Sequence, residues 1–161
     1  MSDSVLEQWL ARENEVRAMY AQGTGTGSND LEDIRTQTGL ALMQGMMNGT
    51  RPGPSISKTM DFLLVEVASG HAVFQGTPGE KYFNPMGTVH GGWYATLLDS
   101  ALGCAVHTLM PAGRAYTTSQ LNVNLVKGQR VEFFAHRLCT QRLVGLRAKH
   151  FGKPGGLDLA Q

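Results

Sequence analysis

The residues whose types and spacing best suit chemistry lie between 84 and 107. There Asn84-Pro85 and His90 lead into the pair Gly91-Gly92, and Asp99 follows eight residues after the first glycine. From the glycines a small and apolar run continues to Leu109, where Pro111 and Gly113 stop it, so the spacing predicts a helix with a bare N-terminus. The backbone N–H of Gly91 is crowded by no side chain of its own and stands at the positive end of that helix, which suits a developing oxyanion. Asp99 supplies a carboxylate about 12 Å further along the axis at 1.5 Å per residue. One carbonyl cannot touch both groups of the same helix. If Gly91 and Asp99 serve one reaction, they come from two antiparallel helices, most simply in a two-fold dimer.

Projected at about 100° per residue, Trp93, Tyr94, Ala95, Leu97, Leu98, Ala101, Leu102, Cys104, Ala105 and Val106 share one broad arc. Thr96, Asp99, Ser100, Gly103 and His107 occupy the rest. An apolar face this wide belongs to a helix covered by other structure. Asp99 sits at the edge of the polar strip, where a carboxylate is either a tolerated, partly exposed acid or one placed for chemistry.

The bulk properties narrow the setting. With 161 residues, 42% of them hydrophobic, the chain supports one good core, and a net charge of +1 argues against nucleic acid as a partner. Charge is uneven, however: residues 127–161 hold seven of the 14 Lys and Arg against Glu132 and Asp158. A basic tail of this kind meets an anion or is simply solvated. Cys104 and Cys139 form neither a disulfide framework nor a zinc spacing, and His71 and His107 fit no metal spacing with His90. No leader-like N-terminus and no 18-residue apolar run occurs, so a cytoplasmic location and no membrane association are expected.

Several elements must position these groups. Ser4 with Glu7 fits a capping box, opening an amphipathic helix through about Ala21. Residues 23–29 alternate glycine with Thr and Ser as a flexible linker; without a preceding strand or a following Gly-Lys-Ser/Thr they are no phosphate loop. Asn29 or Asp30 caps a second helix that runs to Asn48-Gly49, with Leu31, Ile34, Thr38, Leu42 and Met46 on one face and Met43, Met46 and Met47 as core packing. Ser55-Ile-Ser-Lys58 matches Ser-x-x-Lys by chance, after a Pro-rich turn. Residues 59–68 and 71–77 read as a hairpin turning at Ser69-Gly70, and residues 114–127 as a third strand. Residues 131–135 suggest one more strand.

With these elements in place, residues 39–127, and 84–99 above all, resemble the hotdog-fold acyl-CoA thioesterases of the phenylacetate-degradation (PaaI-like) type. The resemblance rests on Asn84-x-x-Gly87-x-x-His90-Gly91-Gly92 followed by Leu97-x-Asp99. It implies an α+β hotdog fold: a long central helix wrapped by a curved antiparallel sheet, here with an N-terminal helical extension (residues 1–28), the hotdog domain itself (29–136) and an atypical tail (137–161). It implies hydrolysis of aromatic or medium-chain acyl-CoA thioesters by a homodimer or homotetramer. CoA is then part of the substrate, and no cofactor or metal is called for.

By the same resemblance, Asp99 is the nucleophile or general base. Gly91 N–H polarises the carbonyl from the partner subunit, Asn84 and His90 orient carbonyl, water or loop, and Thr118 assists. The residues themselves leave other roles open: an Asn before Pro forms turns, His90 beside two glycines serves the loop, and Trp93 and Tyr94 fill a core or an interface as readily as they line an acyl pocket. A hotdog hydratase, which pairs a catalytic His with an acid in a different loop context, and a non-catalytic acyl-CoA-binding remnant are the competing functions. The remnant gains from the tail. Past Lys127 the alternation gives way to a basic, aperiodic segment, as a frameshifted ending would produce.

Overall fold

A computed structural model describes the backbone of residues 3–125 and the side chains of residues 7–125. Its elements are α1 (Asp3–Gln22), β1 (Thr26–Gly27), α2 (Leu31–Thr36), α3 (Gly39–Met47), β2 (Gly53–Pro54), α4 (Ser55–Met60), β3 (Phe62–Ala68), β4 (His71–Gly76) and α5 (Gly91–His107), with a 3-10 turn at Glu80–Tyr82. The fold is α+β: a long helix, α5, lies on a small antiparallel sheet.

The sheet is the β3–β4 hairpin, turning at Gly70 with φ +68. Phe62-Leu63-Leu64-Val65 are all buried, so both faces of β3 must be covered. On one face Phe62, Leu64, Ala72 and Phe74 pack against Leu42 and Met43 of α3 and Trp93, Tyr94, Leu97, Ala101 and Ala105 of α5. Phe62 meets Phe74 edge-on at 5.8 Å and Trp93 at 6.2 Å. On the other face Leu63, Val65 and Val73 pack against Val16 and Tyr20 of α1.

Polar contacts fix α1 there. The register of the ladder shifts between Leu64 and Glu66, and the Arg12 guanidinium donates to the Val65 carbonyl at 2.9 Å. Glu13 is buried. It accepts from Arg17 at 2.7 and 3.0 Å and from the Gln75 amide at 2.9 Å, while Arg17 also pairs with Asp61 at 2.9 Å. The N-terminal extension is therefore a layer of the fold.

Four local expectations are corrected. The second helix is two helices: Gln37 and Thr38 are extended (φ −116, ψ 150 and φ −70, ψ 151), and Thr38 caps α3 by accepting from Ala41 N–H. The linker at 23–29 is held in place, because Gly23 lets the backbone approach Gly49 and β1 pairs in parallel with β2. Residues 55–60 form α4, so the strand expected from residue 59 begins only at Phe62, after Asp61 ends α4 in the left-handed conformation (φ 56).

The fourth correction concerns the sheet. Residues 114–125 form no strand, so among the described residues two strands cover one side of α5 and no curved sheet wraps it. The period of two persists in burial, with Leu121 and Val123 half-buried between exposed Asn122 and Asn124. Alternation reports extended backbone, whereas a strand also needs a neighbour to bond to. The Ser4 side chain of the capping box, the further strand at 131–135 and the tail at 137–161 lie outside the described residues.

Candidate active site

The loop at residues 83–90 delivers α5. Phe83 bridges Val89 in antiparallel fashion, Asn84 N–H donates to the Thr88 carbonyl at 2.8 Å, and His90 N–H to the Tyr82 carbonyl at 2.8 Å. The Asn84 side chain is committed within this loop. Its oxygen accepts from Met86 N–H at 2.9 Å and Thr88 N–H at 3.2 Å, and its amide donates to Thr88 Oγ1 at 2.8 Å. Asn84 thus sets the shape of the turn that aims the helix, as an Asn ahead of Pro does through its own backbone neighbours.

His90 is the N-cap. Its backbone is extended (φ −63, ψ 133) and its Nδ1 accepts from Gly92 N–H at 2.9 Å. A side chain on Gly92 would stand 2.9 Å from that Nδ1, so the cap needs glycine there. Because Nδ1 is the acceptor, the proton of a neutral ring sits on Nε2. The neighbouring N–H of Gly91 has no partner among the described residues. It is one of the donors that every helix start leaves over, and it is half-buried.

Asp99 lies two turns along, half-buried at the edge of the polar strip. Thr118 Oγ1 donates to Asp99 Oδ1 at 2.9 Å. Thr118 and Asp99, 19 residues apart, are thus brought together within one chain, while Gly91 and Asp99 remain at two places on one helix.

Residues 116–125 run back along the polar strip. Tyr116 packs against Gly103, where any side chain would collide with its hydroxyl, and its ring lies 5.8 Å from that of His107. Leu125 reaches the helix start, its Cδ1 2.9 Å from where a Cβ on Gly91 would stand. The sequence reading missed Leu125 as a neighbour of Gly91; the alternation of 121–125 signalled a side chain facing structure but not which structure.

Electrostatics around Asp99 keep nearby protons in place. Burial, with the Asp99 charge adding to it, pushes the Cys104 thiol up to about 12. Burial also pushes the Tyr116 phenol up, with the Cys104 and Asp99 charges contributing. Neither group is an acid or nucleophile near neutral pH. No cluster of three or more His, Cys, Asp and Glu able to hold a metal occurs among the described residues. No helix among them is long and apolar enough to cross a membrane.

The burial of α5 divides its apolar arc. Trp93, Tyr94, Leu97, Ala101 and Ala105 are buried in the core, but Ala95, Leu98, Leu102 and Val106 are only half-buried. At about 100° per residue these four form one stripe; Gly91 continues it at its N-terminal end, and Asp99 borders it about 40° to the other side of Ala95. No curated protein and no solved structure matches the chain. Residues 86–134, which hold His90, Gly91, Asp99 and Thr118 but not Asn84, and which run past Lys127, match the family model of the thioesterase superfamily.

Proposed function

We propose that this protein hydrolyses acyl-CoA thioesters, with aromatic or medium-chain acyl groups, to the free acid and CoA at two equivalent sites of a homodimer. The observation that carries the reading is the presence, inside the matched stretch, of a Gly91 N–H at a helix start that has no partner among the described residues, together with an Asp99 carboxylate held by Thr118.

In this reading Gly91 N–H of one subunit donates to the thioester oxygen and stabilises it as charge develops. Asp99 of the other subunit either attacks the carbonyl carbon, expelling CoA as its thiolate and giving an anhydride that water opens to the free acid and the regenerated carboxylate, or removes a proton from the attacking water, the C–S bond then breaking as CoA leaves and takes up that proton. Thr118 binds one carboxylate oxygen and leaves the other for either task. Asn84 acts through the loop and His90 through the cap, so both position Gly91.

The half-buried stripe supports the dimer. Two antiparallel copies of α5 that set Gly91 against Asp99 cross midway between them, at Ala95, whose small side chain permits close approach. That crossing covers the apolar surface which the single chain leaves partly open.

The test is a thiol-release assay of the purified protein with phenylacetyl-CoA and a medium-chain acyl-CoA, alongside its size in solution. Hydrolysis abolished by Asp99→Ala in a protein that remains dimeric is the expected result. Binding without turnover would assign the chain to the non-catalytic class, and a folded, active monomer would defeat the shared site.

A further inference from the structure

Beside the start of α5 an open cavity of about 350 Å³ lies over Trp93, within the size range of small-molecule sites. Its apolar lining is Met60, Tyr82, Phe83 and Trp93. The polar ends of both Tyr82 and Trp93 are spent on backbone: Tyr82 Oη donates to the Thr59 carbonyl at 2.6 Å and Trp93 Nε1 to the Met60 carbonyl at 2.8 Å. What they offer the cavity is ring surface. Two polar side chains at the rim are donors, the Lys81 ammonium, held 4.9 Å from the Tyr82 ring centre, and His90, whose Nδ1 is occupied. Among the described residues no carboxylate lines the cavity. Gly92 and Thr96 line its helix side, and Asp99 follows on the same face at the i, i+4, i+7 spacing.

An aromatic floor, a cationic rim and no opposing acid complement an anion with an apolar body. We infer that this cavity binds small arylalkyl carboxylates, anion toward Lys81 and His90 and ring against Tyr82, Phe83 and Trp93, and that the free acid released by hydrolysis returns to it as an inhibitor. Only the naming of the acid as a product rests on the thioesterase reading. The binding itself does not.

The chain has two tryptophans, so Trp9→Phe leaves Trp93 as a reporter in the cavity. Titration of this protein with 3-phenylpropanoate and with its neutral amide compares the anion with an isostere. The acid is expected to change Trp93 fluorescence saturably and to bind more tightly than the amide. Exposed Lys81, replaced as Lys81→Ala, is expected to weaken the acid about two- to fivefold, the range for an exposed ion pair, and to leave the amide unchanged. Equal binding of acid and amide, or a Lys81→Ala variant that treats both as the parent does, overturns the site. In the hydrolysis assay the acid is expected to compete with substrate, less well in Lys81→Ala. Hydrolysis indifferent to the acid overturns the product role, whereas acid binding in a protein that hydrolyses nothing overturns the thioesterase reading and leaves the site standing.

Discussion

The shared site is open to a test that removes a single hydrogen-bond donor. Gly91 is the first residue of α5, where proline is tolerated because that N–H has no partner within the helix. The residue before a proline must be extended, and His90 already is, at φ −63 and ψ 133. A Cβ at this position would stand 2.9 Å from Leu125 Cδ1, the far end of a flexible side chain, and Leu125→Ala clears that contact. Gly91→Pro with Leu125→Ala therefore deletes the donor and leaves the helix. Loss of an oxyanion donor costs about 10²- to 10³-fold in kcat, measured against Leu125→Ala alone. Asp99→Asn, which keeps an oxygen for Thr118 to bind, removes the charge in a second protein. Co-expressed with different tags, the two chains assort so that about half the dimers are mixed, and each mixed dimer has one intact site of two. Activity should return to about a quarter of the parent level, from two proteins each nearly inactive. Recovery no greater than the mean of the two homodimers would refute the assignment of Gly91 and Asp99 to different subunits, and full activity in Gly91→Pro would remove Gly91 from the reaction.

Ala95→Arg places a long cation at the proposed crossing point of the helices, and is expected to yield a folded monomer by light scattering with hydrolysis lost. Glu13→Ala leaves the Gln75 amide and the Arg17 guanidinium short of a buried acceptor, although Arg17 keeps Asp61; a loss of about 1–3 kcal/mol should appear as a lower denaturant midpoint. Burial holds the His107 imidazole below its usual value, so the unfolded chain takes up the proton first. The stability His107 contributes is full above pH 6.5 and falls as the solution is acidified below it. His107→Gln should flatten that part of the stability curve between pH 7 and 5.5, and an unchanged acid limb would rule His107 out as its source.

What was legible in the sequence was local and carried by glycine and apolar spacing. The start of α5 at the glycine pair and the turn around Asn84 were readable from a short stretch, but the cap was not: the helix start expected to be bare is capped by the His90 side chain. The hairpin was legible because Ser69-Gly70 separates two apolar runs. What failed depended on partners far away in the chain. The alternation of residues 114–125 suggested a strand, yet nothing local says that Tyr116, Thr118 and Leu125 settle on α5 instead of joining a sheet. The place of α1 was equally hidden, although one signal bore on it: four consecutive buried apolar residues in β3 demand cover on both faces, and α5 supplies only one. Val16 and Tyr20 supply the other. That arrangement bears on function as well, since α1 seals the outer face of the hairpin and leaves the stripe at Ala95, Leu98, Leu102 and Val106 as a half-open apolar surface of the long helix. Gly91 and Asp99 border that stripe, so closing it against a second copy of the chain would bury the remaining apolar surface and complete the site in the same step.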